Sequence, residues 1–506
     1  MNQSMKSELK IYNSLSKEKE LFKPIHEDTI GMYVCGPTVY SDVHLGNCRT
    51  FVSFDVVFRY LRFLGYKVRY VRNITDVGHL VGDVDTGAED KISKKARLER
   101  MEPMEIVQRY SNGFHEMMQV FNVLTPSIEP RATGHIIEQI EMVQRIIDKG
   151  YAYEMNGSVY FDTLRFSEEN PGIYGSLSGR KIDELIAASR DDLKNQGEKR
   201  HPADFAIWIK AAPSHLMRWP SPWSDGFPGW HLECSAMSTK YLGATFDIHG
   251  GGNDLKFPHH ENEVAQNYGA CGCAPANYWM HGNMLLMNGK KMSKSDGNSI
   301  TPQELFSGDS PHISKGYSPM VIRLFMLQTH YRSTLDLTDE ALQAAEKGYR
   351  RLMEGYNTLC ELVHPGSGSP GKLDREVVEL IELAHREMND DFNTPKALAR
   401  LFELVTKINS IKDGHLELSQ MSSATLARVR ETFDTFIFNI FGLLEEGAAG
   451  ENGQGVIDGL MDLIIEMRQE ARASKDWATS DKIRDALQAL NIQLKDSKQG
   501  TTWTKQ

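Results

Sequence analysis

The stretch Gly229–Glu263, reading GWHLECSAMSTKYLGATFDIHGGGNDLKFPHHENE, gathers metal-binding residue types more densely than any other part of the chain. Pro258 suits the first turn of a helix, where its missing N–H is not needed. His259 and Glu263, four residues apart, then project from one helical face. Spacing alone leaves two readings open for such a pair, chelation and a surface hydrogen bond. Cys234 lies upstream, and Cys35 far upstream in MYVCGP. A fold that joined the four would offer two thiolates, an imidazole and a carboxylate, a donor set suited to Zn²⁺.

Two further clusters suggest phosphate chemistry. His44-Leu45-Gly46-Asn47 precedes a long helical pattern through Phe51, Phe54, Val57, Phe58, Leu61 and Leu64. A helix start presents unpaired N–H groups and a positive dipole end to phosphate, and Gly46 permits close approach to the backbone. The alternative is a loop histidine bonded to backbone. Lys290–Ser295, KKMSKS, follows the strand-like GNMLLMNG, and its lysines and serines offer a grip on a departing polyphosphate. A solvated turn is the plainer reading of the same residues.

The elements that must position these groups are legible around them. Residues 30–35 form an apolar run of strand length, the helix follows, and KVRYVRNIT (67–75) reads as the next strand, parallel to the first. This is a βαβ unit of a doubly wound sheet, and its ligands belong beyond the carboxyl ends of the strands, where Cys35, His44 and Thr75 fall. Between Met101 and Pro228 the pattern is mixed, with helices over 104–121 and 134–149, a strand over 158–162 and a polar segment at 194–202. From Thr338 the periodicity is helical: 338–363, 372–389, 394–411, 422–443 and 456–473, broken at 364–371 and 445–455 by Gly-rich runs.

The chain has 506 residues, enough for about two to four domains. A net charge of −11 argues against sequence-blind binding to nucleic acid or anionic membrane, while leaving a specific RNA partner open. Six scattered cysteines, with Cys271 and Cys273 read as incidental, lack the density of a disulfide framework. No signal-peptide core or membrane-length apolar run is present in the sequence, so a cytoplasmic protein is expected.

HLGN and KMSKS in this order resemble the two signatures of class I aminoacyl-tRNA synthetases. The finer resemblance is to cysteinyl-tRNA synthetases, carried by MYVCGPTVYSDVHLGN, NITD, GWHLECSAMS, HGGGNDLKFPHHENE, NYWMHG and KMSKS, and it covers nearly the whole chain. It implies a Rossmann-like α/β catalytic domain (1–125 and 226–300) split by a connective insertion (126–225). A stem-contact connection (301–340), an α-helical bundle (341–447) and a small C-terminal anticodon-binding domain (456–506) follow. It further implies one zinc ion on Cys35, Cys234, His259 and Glu263, and a cysteine pocket lined by Cys35, Thr75, Trp230 and His249. ATP, accompanied by Mg²⁺, falls to His44, Gly46, Asn47, Asp254 and Lys294. His44, Asn47, Lys291 and Lys294 are the implied catalytic groups. Arg472, Trp477, Asp481 and Asp496 would meet the tRNA. The implied partners of a monomer are L-cysteine, ATP and tRNA(Cys).

Two departures stand out. Asn47 replaces the second signature histidine, keeping a hydrogen-bond donor but never a positive charge. Residues 77–89 are an insertion between NITD and Asp90-Lys91-Ile92. The basic run KISKKARLER (91–100) suits either RNA or a solvated helix face. Two other functions remain in view: a cysteine ligase of mycothiol synthesis, which would lack the terminal domain, and a non-catalytic RNA-binding protein descended from a synthetase.

Overall fold

In a computed structural model, the described residues are 6–77, 80–81, 89–180, 199–213, 215–292, 297–367, 370–446, 451–474, 476–489, 492–497 and 500–505. The chain divides into two compact units, Met1–Leu443 and Leu444–Gln506.

The first unit is built on the expected βαβ. β1 (Thr29–Val34) leads through the HLGN turn into α1 (Leu45–Phe63), and β2 (Lys67–Arg72) returns parallel to β1. α1 is a central helix, buried around most of its circumference, with Phe51, Phe54, Val57, Phe58 and Leu61 all in the core. Further along come α2 (Trp230–Leu242), β3 (Phe246–Gly252), α3 (His259–Cys271) and β4 (Ala276–Gly282). The four strands form one parallel sheet in the order β4-β3-β1-β2. From β1 the chain moves to β2 on one side, and from β3 to β4 on the other. The crevice between β1 and β3 is therefore the switch point where such sheets take ligands. A three-stranded sheet follows, with β5 (Leu285–Met287) between antiparallel β6 (Lys290–Lys291) and parallel β7 (Leu335–Leu337).

Between the two halves of the parallel sheet lies an antiparallel one. The strand expected over 158–162 is one of four, Ala152–Met155, Ser158–Phe161, Phe205–Lys210 and Gly226–Pro228. Helices Pro103–Val120 and Ile136–Asp148 lie close to their expected spans, and the basic run forms the helix Lys91–Glu99. Of the 77–89 insertion, Leu80–Val81 pairs with Glu89–Asp90, and its residues 78–79 and 82–88 lie outside the described residues. The same holds for residues 194–198 of the polar segment and 368–369 of the first Gly-rich break.

The expected helical region is formed by Asp339–Glu361, Lys372–Asn389, Thr394–Lys412 and Ser423–Phe433, the last running into a π-helical turn, Asp434–Ile440. In the second unit a helix begins at Glu451, inside the run taken as a break, because glycines cost a helix roughly 1 kcal/mol each without forbidding it. A second helix, Trp477–Ala489, and an antiparallel hairpin, Ile492–Ser497 with Gly500–Lys505, complete the unit. The hairpin escaped sequence reading because its apolar alternation is confined to Ile492 and Leu494, and KDSKQGTTW carries none. Among the described residues, no helix is long and apolar enough to cross a membrane.

Asp391 ties the helical region to the sheet region. Its carboxylate is fully buried and accepts from the Tyr12 amide (2.9 Å), the Tyr331 hydroxyl (2.7 Å) and Arg332 Nε (2.6 Å). His330 Nε2 meets its carbonyl oxygen at 3.0 Å. The residue sits at φ +68°, a left-handed conformation that Asp tolerates better than most side chains. Asp391→Ala leaves three donors without their partner, one of them cationic, and should cost about 3 to 5 kcal/mol, the penalty of breaking a buried charged pair from one side. Urea unfolding followed by tryptophan fluorescence measures it.

Candidate active site

Cys35 directly follows β1, and its amide is held by Gly250 O of β3 at 3.1 Å, so the first thiol sits at the switch point. Cys234 comes from the second turn of α2, and His259 and Glu263 from the first two turns of α3. Pro258 occupies the cap position just before α3 rather than its first helical position, and the expected shared face is formed, with His259 Nε2 3.2 Å from Glu263 Oε1.

One donor atom from each of the four side chains lies within 4.8 Å of the others, and all four residues are buried. Two sulfurs about 2.3 Å from a common tetrahedral centre lie about 3.8 Å apart, and nitrogen and oxygen ligands about 3.3 Å apart. Cys35 Sγ and Cys234 Sγ are separated by 3.7 Å, and His259 Nε2 and Glu263 Oε1 by 3.2 Å. Cys35 Sγ to Glu263 Oε1 is 3.7 Å. The quartet therefore fits a tetrahedral zinc ion. A second group, Cys35, His249, His260 and Glu263, meets the same 4.8 Å limit. His260 Nε2 lies 3.9 Å from Glu263 Oε1 while His249 Nε2 bonds the other oxygen, Oε2, at 2.9 Å, and the group offers a single thiolate. The first group fits a soft divalent ion better.

The surrounding side chains orient these donors. His231 Nδ1 lies 2.9 Å from His259 Nδ1, which leaves His259 Nε2 facing the cluster. His249 Nε2 holds the second oxygen of Glu263, and its ring stacks on Trp279 at 4.4 Å. Trp230 covers His259 at a ring separation of 4.4 Å. Asn73 Oδ1 accepts from the Gly36 amide at 2.9 Å and faces Cys234 Sγ at 3.7 Å, while Asn73 Nδ2 donates to Thr75 Oγ1 at 3.1 Å. Thr75 thus supports the ligand loop through Asn73.

Burial pushes the Cys35 thiol well above its ordinary range, and Cys234 and Glu263 add to the effect. Cys234 is raised chiefly by burial as well. Burial, then the neighbouring imidazoles, pushes His260 well down, and His281 falls to about 3. Two thiols and a carboxylate in one dry spot repel as anions, and a cation sharing the spot reverses that balance. His260, His281, His231, Tyr33 and Asn73 were not singled out from sequence. The doubled histidine of PHHENE and the histidine of MHGN were the available signals, but only the fold brings them beside Cys35.

The phosphate-type residues gather at the same end of the sheet. His44 is the N-cap of α1: Nδ1 accepts from the Asn47 amide at 3.3 Å, and Asn47 Oδ1 faces the His44 amide at 3.5 Å. Asn47 therefore closes a capping box. A Cβ on Gly46 would lie 3.1 Å from the His44 ring. Asp254 is exposed just beyond β3, and Lys291 is exposed at the end of β6. Lys294 lies outside the described residues. In the second unit, Trp477 is 58% exposed at the first position of its helix, and Arg472 is exposed. The Asp481 carboxylate pairs with Arg484 at 3.1 Å. Asp496 lies on the first hairpin strand, and its side chain is outside the described residues.

A parallel sheet with its cleft at the switch point, HLGN at a helix start and KMSKS beyond the last strand define a class I aminoacyl-tRNA synthetase. The family described as "tRNA synthetases class I (C) catalytic domain" matches residues 21–347, a DALR domain matches 385–445, and a cysteinyl-tRNA ligase anticodon binding domain matches 461–503. The chain belongs to the cysteine–tRNA ligase family. It is 54% identical over 499 residues to the cysteine–tRNA ligase of Bacteroides thetaiotaomicron, covering 99% of each chain. To that of Chlorobaculum tepidum it is 48% identical over 508 residues, again covering 99% of each. A solved structure of Mycobacterium tuberculosis methionyl-tRNA synthetase in complex with methionyl-adenylate is similar at a TM-score of 0.58 and 15% identity. That match covers 82% of this chain and 89% of the other, and bears on the fold alone.

The ligand loop tolerates no side chain at Gly36, where a Cβ would lie 1.6 Å from the Asn73 carbonyl oxygen. Gly36→Ala should force the 72–73 backbone away from Cys234. It is expected to destabilise by roughly 3 kcal/mol, the upper part of the overpacking range, and to expose both ligand thiols. Thermal melting reads the first effect, and the rate of thiol labelling reads the second.

Proposed function

We propose that the protein joins L-cysteine to tRNA(Cys) in two steps. The cysteine carboxylate attacks the α-phosphorus of ATP, giving cysteinyl-adenylate and pyrophosphate, and a terminal ribose hydroxyl of the tRNA then takes the cysteinyl group and releases AMP. The observation that carries this reading is the buried thiol-imidazole-carboxylate quartet in a chain that matches cysteine–tRNA ligases from end to end. The match of residues 461–503 to an anticodon-binding domain supports a tRNA acceptor over the amino-sugar acceptor of mycothiol synthesis.

In this reading His44, Gly46 and the start of α1 hold the triphosphate with its Mg²⁺, where the helix dipole favours negative charge. Lys291 and Lys294 meet the charge that develops on pyrophosphate, and Asp254 takes the ribose. Cys35, Cys234, His259 and Glu263 hold zinc. When bound, the ion supplies a soft Lewis-acid contact that prefers a thiolate sulfur to a hydroxyl oxygen. Trp230, His249 and Thr75 shape the pocket around it. That preference answers a real difficulty, since an apolar pocket separates near-isosteres such as cysteine and serine by only about a hundredfold. Trp477 offers a stacking face for a base, and Arg472, Asp481 and Asp496 offer donors and acceptors for base edges.

Cysteine-dependent ATP–pyrophosphate exchange, followed by charging of tRNA with cysteine and not serine, tests the whole reading. Zinc-replete protein inert in both assays would sink it.

Metal analysis should find about one zinc per chain, and less than about a tenth, in protein never exposed to chelator, would remove zinc from the account. Cys234→Ser, which trades the soft ligand for a hard one, should lower zinc retention and raise the cysteine KM while ATP binding stays near that of the unaltered protein.

Asn47 has two separable tasks in this reading, closing the capping box through Oδ1 and donating to a phosphate through Nδ2. Asn47→Asp keeps the acceptor and adds a charge that a helix start favours, so its melting temperature should hold or rise slightly. The same charge repels the triphosphate and should slow exchange by more than about tenfold, the cost of one lost charge-assisted bond. Unchanged exchange would confine Asn47 to capping.

A further inference from the structure

We propose that Arg49 is a positioning residue for adenylate formation, its guanidinium fixing the strand bed that carries Lys291 of KMSKS against the helix that carries HLGN. Arg49 lies on α1 five residues beyond His44 and is 2% exposed. Its Nη1 donates to Asn283 O at 2.9 Å and to Met284 O at 2.6 Å. Its Nη2 donates to His330 O at 3.3 Å and to Ser333 O. Asn283 and Met284 join β4 to β5, the strand paired with β6 and so with Lys291. His330 and Ser333 bracket the turn that enters β7, which pairs with β5 from the other side. One side chain therefore grips the entries of both parallel strands, β5 and β7, of the bed on which the lysine-bearing strand lies.

The contacts are of an unusual kind. All four partners are neutral carbonyls, and among the described residues no acidic side chain bonds or pairs with Arg49. Burial lowers the basicity of the guanidinium only to about 10, so it is charged at neutral pH. A buried cation held solely by backbone dipoles fixes the positions of those dipoles, because each carbonyl that drifts leaves charge unsolvated. Lysine cannot replace it: an ammonium carries three donors on one atom, whereas the planar fork reaches two pairs of carbonyls at once. The bed is stapled again by Asn283, whose Nδ2 donates to Arg332 O at 2.9 Å and whose Oδ1 accepts from the Met284 amide at 2.8 Å. Asn283 N donates to Tyr331 O at 2.8 Å, and Leu335 N to Met284 O at 3.2 Å. In the functional reading the nucleotide spans HLGN and Lys291, so the placement of Lys291 against α1 is set by whatever joins α1 to this bed.

The proposal rests on the cysteine-activating reading above, and the test separates the two. Full-length, zinc-replete R49K is assayed by cysteine-dependent ATP–pyrophosphate exchange beside R323K. Arg323 also forks into α1, bonding Asp55 as well as Phe121 O and Phe441 O (2.6 Å), but among the described residues it has no bond to the β5–β7 bed. R49K should lower kcat by about 10- to 100-fold, the scale of a misplacement near 1 Å, with the cysteine KM within about twofold and the zinc content unchanged. R323K should lower the melting temperature while the kcat of the folded protein moves less than about threefold. Equal slowing of the two variants, unchanged kcat in R49K, or a raised cysteine KM as its only defect overturns the proposal. If R49K fails to fold or to hold zinc, N283A is read in its place, where a fall in kcat at constant KM supports the role and unchanged kcat overturns it. Unaltered protein that does not exchange with cysteine overturns the functional reading itself, whereas active protein with unimpaired R49K overturns only the role of Arg49.

Discussion

Four donors of three kinds can share one dry point only if the backbone that carries them cannot relax away from it, and much of the first unit serves that constraint. Cys35 is pinned by a backbone bond to Gly250 just beyond the end of β1, Cys234 and the α3 pair ride on helices flanked by buried residues, and each of His259 and Glu263 is held from behind by another histidine. Burial first, and the neighbouring Glu263 charge after it, push both thiols toward the protonated form. The cluster is thus poor as a set of free thiols and good as a ligand set, since coordination to a cation favours the deprotonated sulfur. The glycines of HGGG follow from the same constraint. A Cβ on Gly250 would lie 2.3 Å from the Phe54 ring, so β3 approaches α1 closely enough to hold the ligand loop only because side chains are missing there.

What could be read from the residues and what could not divide along the range of the interactions. β1, α1 and β2 follow from local periodicity, and so do the helices after Thr338, because an apolar stripe is repeated within each segment. The quartet itself was reachable only through resemblance: Cys35 and Cys234 are separated by 199 positions, and nothing in their spacing says that they meet. The residues behind the quartet were harder still. His260 and His281 stand 2.8 Å apart across α3 and β4, an approach that depends on sheet order rather than on any local pattern. The terminal hairpin was missed for the opposite reason, since an alternation confined to Ile492 and Leu494 is too short a local signal to read.

The hubs at Asp391 and Arg49, outside the thiol-imidazole-carboxylate cluster, share a design. Asp391 gathers donors from the first residues of the chain and from the segment around Tyr331, and Arg49 gathers carbonyls from the same segment and from the strand beside it. The run His330–Ser333 is therefore held from the helical region by a carboxylate and from α1 by a guanidinium. Neither hub sits where ATP or cysteine would bind in the functional reading. Both belong to the class of buried, satisfied polar networks that select one arrangement of packed elements rather than merely adding stability. A synthetase needs that selectivity, because nucleotide-handling groups drawn from segments some 250 positions apart must agree in position before any chemistry is possible.

Asn47 shows how far such a frame tolerates change at a signature position. Its place in the turn is the third of the helix, where a side-chain acceptor returns to the N-cap amide, and asparagine meets that demand with Oδ1 while keeping two N–H donors on the other side of the same planar group. Neutral histidine at this position would have one acceptor and one donor, so the substitution conserves the hydrogen-bonding inventory and gives up only the possibility of a positive charge. That possibility is least needed here, for the free amides at the start of α1 already present partial positive charge to the same space. In the functional reading the departure from the signature is thus one the helix itself can absorb, and with His44 Nδ1 accepting from the Asn47 amide, Nε2 is the ring nitrogen that reading assigns to phosphate.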